Sequence, residues 1–176
     1  MQKSTKQSKD NQKKFSPGAC ALLFVNDHPN NRPQVLLGKE TQGKLKNMYN
    51  LPGGRMEPED GGCYIRNVMR ELAEEIKIQI SFEQFSQIFK GSTPNIHYIL
   101  NYTTPIFIGQ FPQHLNTHIL NTQIARANSN PSLPANLKEM SQVEWFDVNH
   151  LPSTHISDFA RTVCNRAIPT IYNWNP

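Results

Sequence analysis

The stretch that decides the fold is L-P-G-G-R-M-E-P-E-D-G-G-C-Y-I-R-N-V-M-R-E-L-A-E-E-I-K-I, residues 51–78. Its second half, residues 63–76, has helical periodicity, since an α-helix turns by about 100° per residue. On that helix Glu71, Glu74 and Glu75 share a face about 100° wide. The apolar side chains form a separate stripe made of Ile65, Met69, Leu72 and Ile76, with Val68 at its edge. We therefore expect the helix to bury this stripe and to direct its carboxylates away from it.

Three glutamates on one helical face allow two interpretations. Like charges raise one another's pKa and weaken the helix unless a cation compensates. Hard cations such as Mg²⁺ bind carboxylates together with substrate phosphates, and the turn at Gly53-Gly54 lets backbone atoms approach such a ligand closely. These features suggest metal-assisted attack of water on a phosphoanhydride. The alternative is a solvated acidic face without a ligand, and the spacing alone leaves both open.

The same stretch resembles the Nudix box, G-x5-E-x7-R-E-U-x-E-E-x-G-U, in which U is a bulky aliphatic residue. Gly54 matches the first Gly, residues 70–75 (R-E-L-A-E-E) match the core without a substitution, and Ile78 matches the last position. The L-P-G-G lead-in is typical of the family, as are Glu139, E-W-F at 144–146 and L-P at 151–152. The resemblance covers nearly all of 15–176. It implies an α+β fold, a Nudix-type α/β/α sandwich with a mixed β-sheet between helices.

Two positions depart from the Nudix pattern. Asp60 replaces the first Glu, and nine residues instead of seven separate it from Arg70. The loop before the helix is therefore expected to be longer, near 61–62, and Asp60 is of the type that caps helix N-termini. Lys77 replaces the Gly that usually follows the helix. If Lys77 is left-handed, a non-Gly residue there costs about 1–2 kcal/mol. Neither change removes an expected metal ligand.

The resemblance also implies a reaction and roles for particular residues. Nudix enzymes cleave nucleoside diphosphates linked to another moiety, or related diphosphates, with Mg²⁺ or alternatively Mn²⁺. Arg70 would hold a glutamate in place, and the general base would be either a box glutamate or the later Glu139. Carried over by position, the metal ligands would be Glu71, Glu74, Glu75 and the carbonyl of Gly54, and the catalytic group would comprise Arg70, Glu71, Glu74, Glu75 and Glu139.

Candidate substrate contacts are fewer and less specific. Arg55 and Lys39 are placed to meet phosphates, and Tyr49, Tyr98 and Phe107 to stack on a base. Each has a plain alternative, because surface cations are often only solvated or ion-paired and aromatic residues in strands usually belong to the core. The sequence leaves these alternatives open.

The rest of the chain predicts a sheet with few helices. Alternating or continuous apolar residues predict strands, at 19–25, 34–39, 49–51, 78–82, within 96–110 and at 143–146. The first two are expected to pair as a hairpin across the turn at 26–33. Residues 111–136, rich in Pro and Asn, form a long loop with one short helix at 119–127; such long loops are often functional. A last helix is expected at 157–167, ended by Pro169.

The net charge lies mostly at one end of the chain. Eighteen Lys and Arg against fourteen Asp and Glu give +4 over the 176 residues. Residues 1–14 hold five lysines and one acid, so 15–176 holds thirteen charges of each sign. We expect 1–14 to be a disordered Lys-rich tail and 15–176 to be a single domain. No apolar run is long enough to span a membrane. The three unpaired cysteines and the lack of an apolar leader indicate a cytoplasmic protein.

Three functions remain in competition. The first is a pyrophosphohydrolase of a small nucleoside diphosphate derivative, with an RNA cap among the possible substrates. The second has the same chemistry on a non-nucleotide such as a diphosphoinositol polyphosphate, against which the neutral body 15–176 argues mildly. The third is a catalytically silent Nudix-fold module that binds a nucleotide or RNA, against which the three intact box glutamates argue. The sequence does not specify the oligomeric state.

Overall fold

The computed structural model describes residues 18–25, 32–89, 104–111, 113 and 115–174. Its strands are β1 (Gly18–Val25), β2 (Gln34–Glu40), β3 (Tyr49–Asn50), β4 (Gly53–Arg55), β5 (Ile106–Gln110) and β6 (Met140–Asp147). Its helices are α1 (Tyr64–Glu75), α2 (Phe82–Ile88), α3 (Thr117–Ser129) and α4 (Asp158–Tyr172), and 3-10 turns cover Gly43–Leu45, Pro58–Asp60 and Ala135–Lys138. None of these described helices has the length and apolar character needed to cross a bilayer.

The sheet is mixed and is organised around β1 and β2. These two strands pair antiparallel, as the predicted hairpin requires, but only from Leu23↔Leu36 to Val25↔Gln34. Beyond that point they separate: the first half of β1 pairs with β4 and the second half of β2 pairs with β3. On their outer edges β5 runs parallel to β1, and β6 runs antiparallel to β2. The short strand β4, which carries Gly53 and Gly54, therefore lies in the gap between the two central strands.

Both faces of the sheet are covered, so the expected α+β sandwich is confirmed. Alternate residues of β1 point to opposite sides, and all from Ala19 to Val25 are buried. Ala19, Ala21 and Leu23 pack with side chains of α1, α2 and α3. On the other face, Leu22 and Phe24 pack with α4. The continuous apolar run of this strand is what a strand buried on both faces requires.

The predicted strand at 78–82 is wrong, because residues 77–81 are irregular and α2 begins at Phe82. A capping box starts this helix: the Ser81 hydroxyl accepts from the Gln84 N–H at 3.2 Å, and the Gln84 side chain accepts from the Ser81 N–H at 2.8 Å. Phe82 is half exposed, whereas Phe85 and Ile88 are buried. A local capping signal therefore outweighs the apparent alternation of apolar residues.

The prediction that Pro169 ends the last helix is wrong. Helix α4 continues to Tyr172 with the proline inside it. The turn beyond the proline is secured by packing, since Ile171 is fully buried, and by the side-chain N–H of Asn173, which donates to the Pro169 carbonyl at 2.9 Å. Tertiary contacts thus offset the missing backbone hydrogen bond.

Other predictions hold with changed boundaries. The helix in the loop 111–136 spans Thr117–Ser129 and the strand at 143–146 spans Met140–Asp147, so both are longer than predicted. Strand β4 was not predicted. Within 96–110 the structure gives β5, but residues 96–103 and the tail 1–14 lie outside the described residues.

Candidate functional site

Strand β4 packs against Glu71 of helix α1 at Gly54 and against β1 at Gly53, with no space for a Cβ at either glycine unless a neighbour moves. A Cβ added to Gly54 would lie 2.5 Å from Oε1 of Glu71. Gly53 has a φ of 148°, and a Cβ there would lie 2.5 Å from the backbone of β1. Its N–H donates to Oε2 of Glu75 at 2.8 Å. The P-G-G lead-in therefore brings the backbone of β4 directly against two box glutamates.

Arg70 forms ion pairs with three acidic side chains, Asp60 before α1 and Glu71 and Glu74 within it. Its Nη1 donates to Oε2 of Glu74 and its Nη2 to Oε1 of Glu71, each at 2.9 Å. The same guanidinium donates to both oxygens of Asp60 at 3.2 Å and to the Arg55 carbonyl at 2.8 Å. Arg70 therefore contacts two box glutamates, Asp60 and the backbone of β4 at the same time.

Asp60 acts differently from the helix cap suggested by its sequence position. The residue that precedes α1 is Cys63, and Asp60 closes the 3-10 turn before it by accepting from the Glu57 N–H at 2.8 Å. Burial alone would raise the pKa of the Asp60 carboxyl, but hydrogen bonds from Arg70 and from this N–H hold it below its usual range. The longer loop thus places the buried Asp60 carboxylate within hydrogen-bond distance of Arg70.

Asn67 is a buried residue of α1 that belongs to none of the motifs recognised in the sequence. Its side-chain oxygen accepts from the Ala19 N–H at 2.8 Å, and its amide donates to the Arg55 carbonyl at 3.0 Å and to Asp60 at 3.2 Å. It therefore joins β1, β4 and the 3-10 turn to the helix.

Two of the three box glutamates are buried, although they lie on a different face of α1 from its apolar stripe. Glu71 is 6% exposed and Glu75 is 4% exposed, whereas Glu74 is partly exposed. Burial raises the pKa of Glu71 to about 7, against the opposing effect of Arg70. Burial, and then the charge of Glu71, raise the pKa of Glu75 well above its usual value. Periodicity could not show that β4 would cover this face.

Two further glutamates, Glu139 and Glu40, lie near those of the box. We call the five residues together the acidic group: Glu40, Glu71, Glu74, Glu75 and Glu139. Glu139 lies close enough to Glu75 for the two carboxyl groups to interact, and burial raises the pKa of Glu139. Glu40, at the end of β2, also has a pKa raised by burial, and the Glu139 charge adds to the shift. The structure thus brings Glu139 to the box, whereas Glu40 was missed because a single acid at a strand end has no distinctive sequence signal.

The acidic group fits a hard divalent cation by the chemistry of its donors. It consists of carboxylate oxygens, and several of its members have raised pKa values because burial and like charge disfavour ionisation. A bound cation would favour the ionised carboxylates and so lower these pKa values again. Among the described residues, however, no group of three or more His, Cys, Asp or Glu side chains has the arrangement needed to hold a metal ion. Arg70 and the Gly53 N–H hold carboxylate oxygens that a cation would bind.

The three predicted substrate contacts lie in different settings. Arg55 is exposed on β4, while Lys39 stands over the ring of Tyr49 at 5.9 Å. Tyr49 is only 9% exposed; its hydroxyl donates to Glu144 and its ring packs against Phe146 with centroids 4.8 Å apart. Tyr49 therefore has a structural role in this conformation.

Of the remaining aromatic candidates, Phe107 lies in the described part of the chain, and it packs among other aromatic side chains beside α2. Phe107 packs edge-on against Phe85 with centroids 5.7 Å apart, and Tyr98 lies outside the described residues. A cavity of about 580 Å³ lies beside α2 and the end of β5, but no predicted site residue lines it.

The chain belongs to the Nudix family: the family model described as NUDIX domain matches residues 14–165. It is accordingly a hydrolase that acts on pyrophosphate bonds. A comparison with curated proteins finds no match.

Solved structures give the same fold at low sequence identity. A Nudix hydrolase from M. smegmatis, RenU, is 14% identical, with a TM-score of 0.58 over 91% of this chain and 88% of that one. The NUDIX domain of Shewanella oneidensis NrtR, complexed with ADP ribose, is 15% identical, with a TM-score of 0.56 over 88% and 86%. A C. elegans Ap4A hydrolase in a binary complex is 14% identical, with a TM-score of 0.52 over 89% and 99%.

Proposed function

We propose that the protein is a Mg²⁺-dependent pyrophosphohydrolase of a small nucleoside diphosphate derivative, with Mn²⁺ as an alternative cofactor. The observation that carries the proposal is the acidic group around Glu75: buried carboxyl groups of raised pKa gathered against the glycine backbone of β4. A structural acidic face would be solvated, whereas Glu71 and Glu75 are buried here. It retains every glutamate of the R-E-L-A-E-E core.

The proposed roles follow from the Nudix box and, for Arg70, from its contacts. Glu71, Glu74, Glu75 and the carbonyl of Gly54 would hold the cation. When bound, such a cation neutralises diphosphate oxygens and makes water a better nucleophile. Arg70 fixes the orientation of Glu71 and Glu74 through its two Nη groups. We assign proton removal from water to Glu139, because its raised pKa makes it a better acceptor than an ordinary carboxylate near neutral pH.

Two of the similar structures support a nucleotide-type substrate. The NUDIX domain of NrtR is complexed with ADP ribose, and the C. elegans protein is an Ap4A hydrolase. Arg55, Lys39 and Tyr49 stay candidates for substrate contact. To reach a ligand, the Tyr49 hydroxyl would have to give up the hydrogen bond that it donates to Glu144. An RNA cap belongs to the same chemical class. The neutral charge of 15–176 makes a densely anionic inositol pyrophosphate the weaker candidate.

The test is a substrate panel followed by phosphorus NMR in water labelled with oxygen-18. It contains ADP-ribose, dinucleoside polyphosphates, nucleoside triphosphates, a cap analogue and a diphosphoinositol polyphosphate, each with Mg²⁺, Mn²⁺ or chelator. We expect metal-dependent cleavage of a nucleotide compound, with the label on one phosphate product. Glu74→Gln and Glu75→Gln should lower turnover at least about 100-fold if each holds the metal. The matched control is Glu83→Gln on the exposed face of α2.

Each outcome decides between the candidates. No metal-dependent product from any compound would refute both enzymatic functions and favour a silent binding module. Turnover of the inositol compound alone would replace the nucleotide substrate. Unchanged turnover in both box variants would contradict the ligand assignment.

A further inference from the structure

Lys77 lies at the junction between the box helix and the loop that carries Glu139. It follows Ile76 at the end of α1 and has a φ of 61°, the left-handed region that favours glycine. Its Nζ donates to the carbonyl of Glu74 and, at 3.2 Å, to the carbonyl of Leu137. Leu137 belongs to the 3-10 turn that immediately precedes Glu139. One side chain thus joins the C-terminal end of the helix to this turn.

A second attachment holds the same turn from the opposite side. The Thr41 N–H donates to the Glu139 carbonyl at 2.8 Å. The Thr41 hydroxyl lies 2.7 Å from the Lys138 carbonyl and 3.0 Å from that of Glu139. Thr41 follows directly after β2, whereas Lys77 follows α1. The backbone before Glu139 is therefore fixed between the sheet and the box helix.

We propose that Lys77 is a positioning residue, which fixes the Glu139 turn against the end of α1 and so holds the Glu139 carboxyl at Glu75. The proposal rests on the proposed function, in which Glu139 is the general base. A base must lie within hydrogen-bond reach of its proton, and small misplacements of catalytic groups strongly reduce rate. The glycine that usually occupies this position in the family has no side chain with which to make the contact to Leu137.

The backbone of Lys77 supports the same interpretation. A left-handed non-glycine residue is strained and persists only where surrounding contacts stabilise it. Here the Ile78 N–H donates to the Leu72 carbonyl at 2.9 Å and closes the helix end across Lys77, and the bond from Nζ to Leu137 adds an attachment 60 residues further along the chain. A side chain serving only the helix end would need the Glu74 carbonyl alone.

The test uses three variants and one matched control in the full chain. Lys77→Gly removes both the contact and the strain, Lys77→Met removes the contact and keeps the strain, and Lys77→Arg keeps a donor of similar reach. The control is His155→Gly, which relieves the same kind of strain at an exposed residue with a φ of 64°. Hydrogen exchange of peptides covering 133–141 is measured without metal, together with Tm, kcat and KM for the substrate found in the panel.

We expect faster exchange at 133–141 in Lys77→Gly and Lys77→Met, with kcat reduced about tenfold by misplacement of the base and KM nearly unchanged. Lys77→Arg should restore most of both properties, and His155→Gly should change neither. In a Glu139→Gln background, Lys77→Gly should cause no further loss of kcat, since coupled residues are not additive. A purely structural Lys77 would instead lower Tm and leave this coupling absent.

Two results would overturn the proposal: exchange at 133–141 that does not change in either variant, or faster exchange with unaffected kcat. A loss of kcat that is equally large in the Glu139→Gln background would also overturn it, because Lys77 would then act by another route. A wild-type protein without turnover on any substrate would refute the proposed function, and the exchange data would still test the attachment of the turn separately.

Discussion

At the scale of single residues, Arg70 is the cation that compensates the buried carboxylates of Asp60 and Glu71. Asp60 is 2% exposed and Glu71 is 6% exposed, and both bond to its guanidinium. Removing one partner of a buried ion pair costs about 3–5 kcal/mol, because the other charge is left without compensation. We expect Arg70→Met to lower the free energy of unfolding by about 3 kcal/mol in urea titrations. Arg66→Met, at an exposed position of the same helix, is the control, and an equal effect of the two would contradict this role.

The raised pKa values of Glu71 and Glu75 predict an unusual dependence of stability on pH in the metal-free protein. The folded state holds protons on these groups that the unfolded chain has released, so stability is fully present below the ordinary glutamate pKa. It falls as pH rises towards about 7, the pKa of Glu71. We expect Tm in chelator to decrease across this window and Mg²⁺ to restore it more at pH 8 than at pH 5.

Glu71→Gln provides the check on this explanation, because a neutral amide cannot release a proton. In that variant the decrease of Tm between pH 5 and pH 8 should become shallower. An unchanged slope would assign the pH dependence to other groups.

At the scale of elements, α3 protects the outer edge of β6 with its side chains. The Asn121 amide donates to the Val143 carbonyl at 3.1 Å and its oxygen accepts from the Val143 N–H at 2.6 Å. Asn128, two turns later, donates to the Met140 carbonyl at 3.0 Å. Asn121→Ala should therefore lower the free energy of unfolding by about 1–3 kcal/mol, since it leaves two backbone groups of a half-buried strand unpaired. Gln123→Ala, exposed on the same helix, should have little effect; equal losses in urea titrations would refute the edge contact.

The elements also show what a sequence can and cannot predict. The apolar run of β1 and the box helix were predicted because each has a strong local period that tertiary contacts reinforce. The segment 78–82 was misassigned because Ile78 and Ile80 alternate with polar residues, while the start of α2 depends on the pair Ser81 and Gln84.

The same limit applies to the candidate site. The acidic residues of the box could be predicted as a set, since their spacing is regular. The burial of Glu75 could not, because it arises from β4, which lies in the gap between β1 and β2. The proximity of Glu40 depends on the same long-range arrangement.

At the scale of the whole molecule, the positive charge and the proposed chemistry occupy different parts of the chain. Residues 1–14 account for the entire net charge of +4, whereas 15–176 is formally neutral. The first described strand starts at Gly18, opposite Arg55, and the family match starts at residue 14. The proposed domain 15–176 therefore contains every residue to which a catalytic or metal-binding role is assigned.

Deleting residues 1–14 should accordingly leave Tm and the kcat and KM of a small nucleotide substrate unchanged, because every residue with an assigned catalytic or metal-binding role lies in 15–176. Elution from a cation exchanger should move to lower salt, since the net charge falls from +4 to zero. The matched control is deletion of 1–20, which also removes Gly18, Ala19 and Cys20 and with them the whole pairing of β1 with β4. That longer deletion should abolish turnover and lower Tm, because β4 brings Gly53 and Gly54 to the glutamates. A large loss of turnover in the shorter deletion would instead show that the lysine-rich segment takes part in binding the substrate.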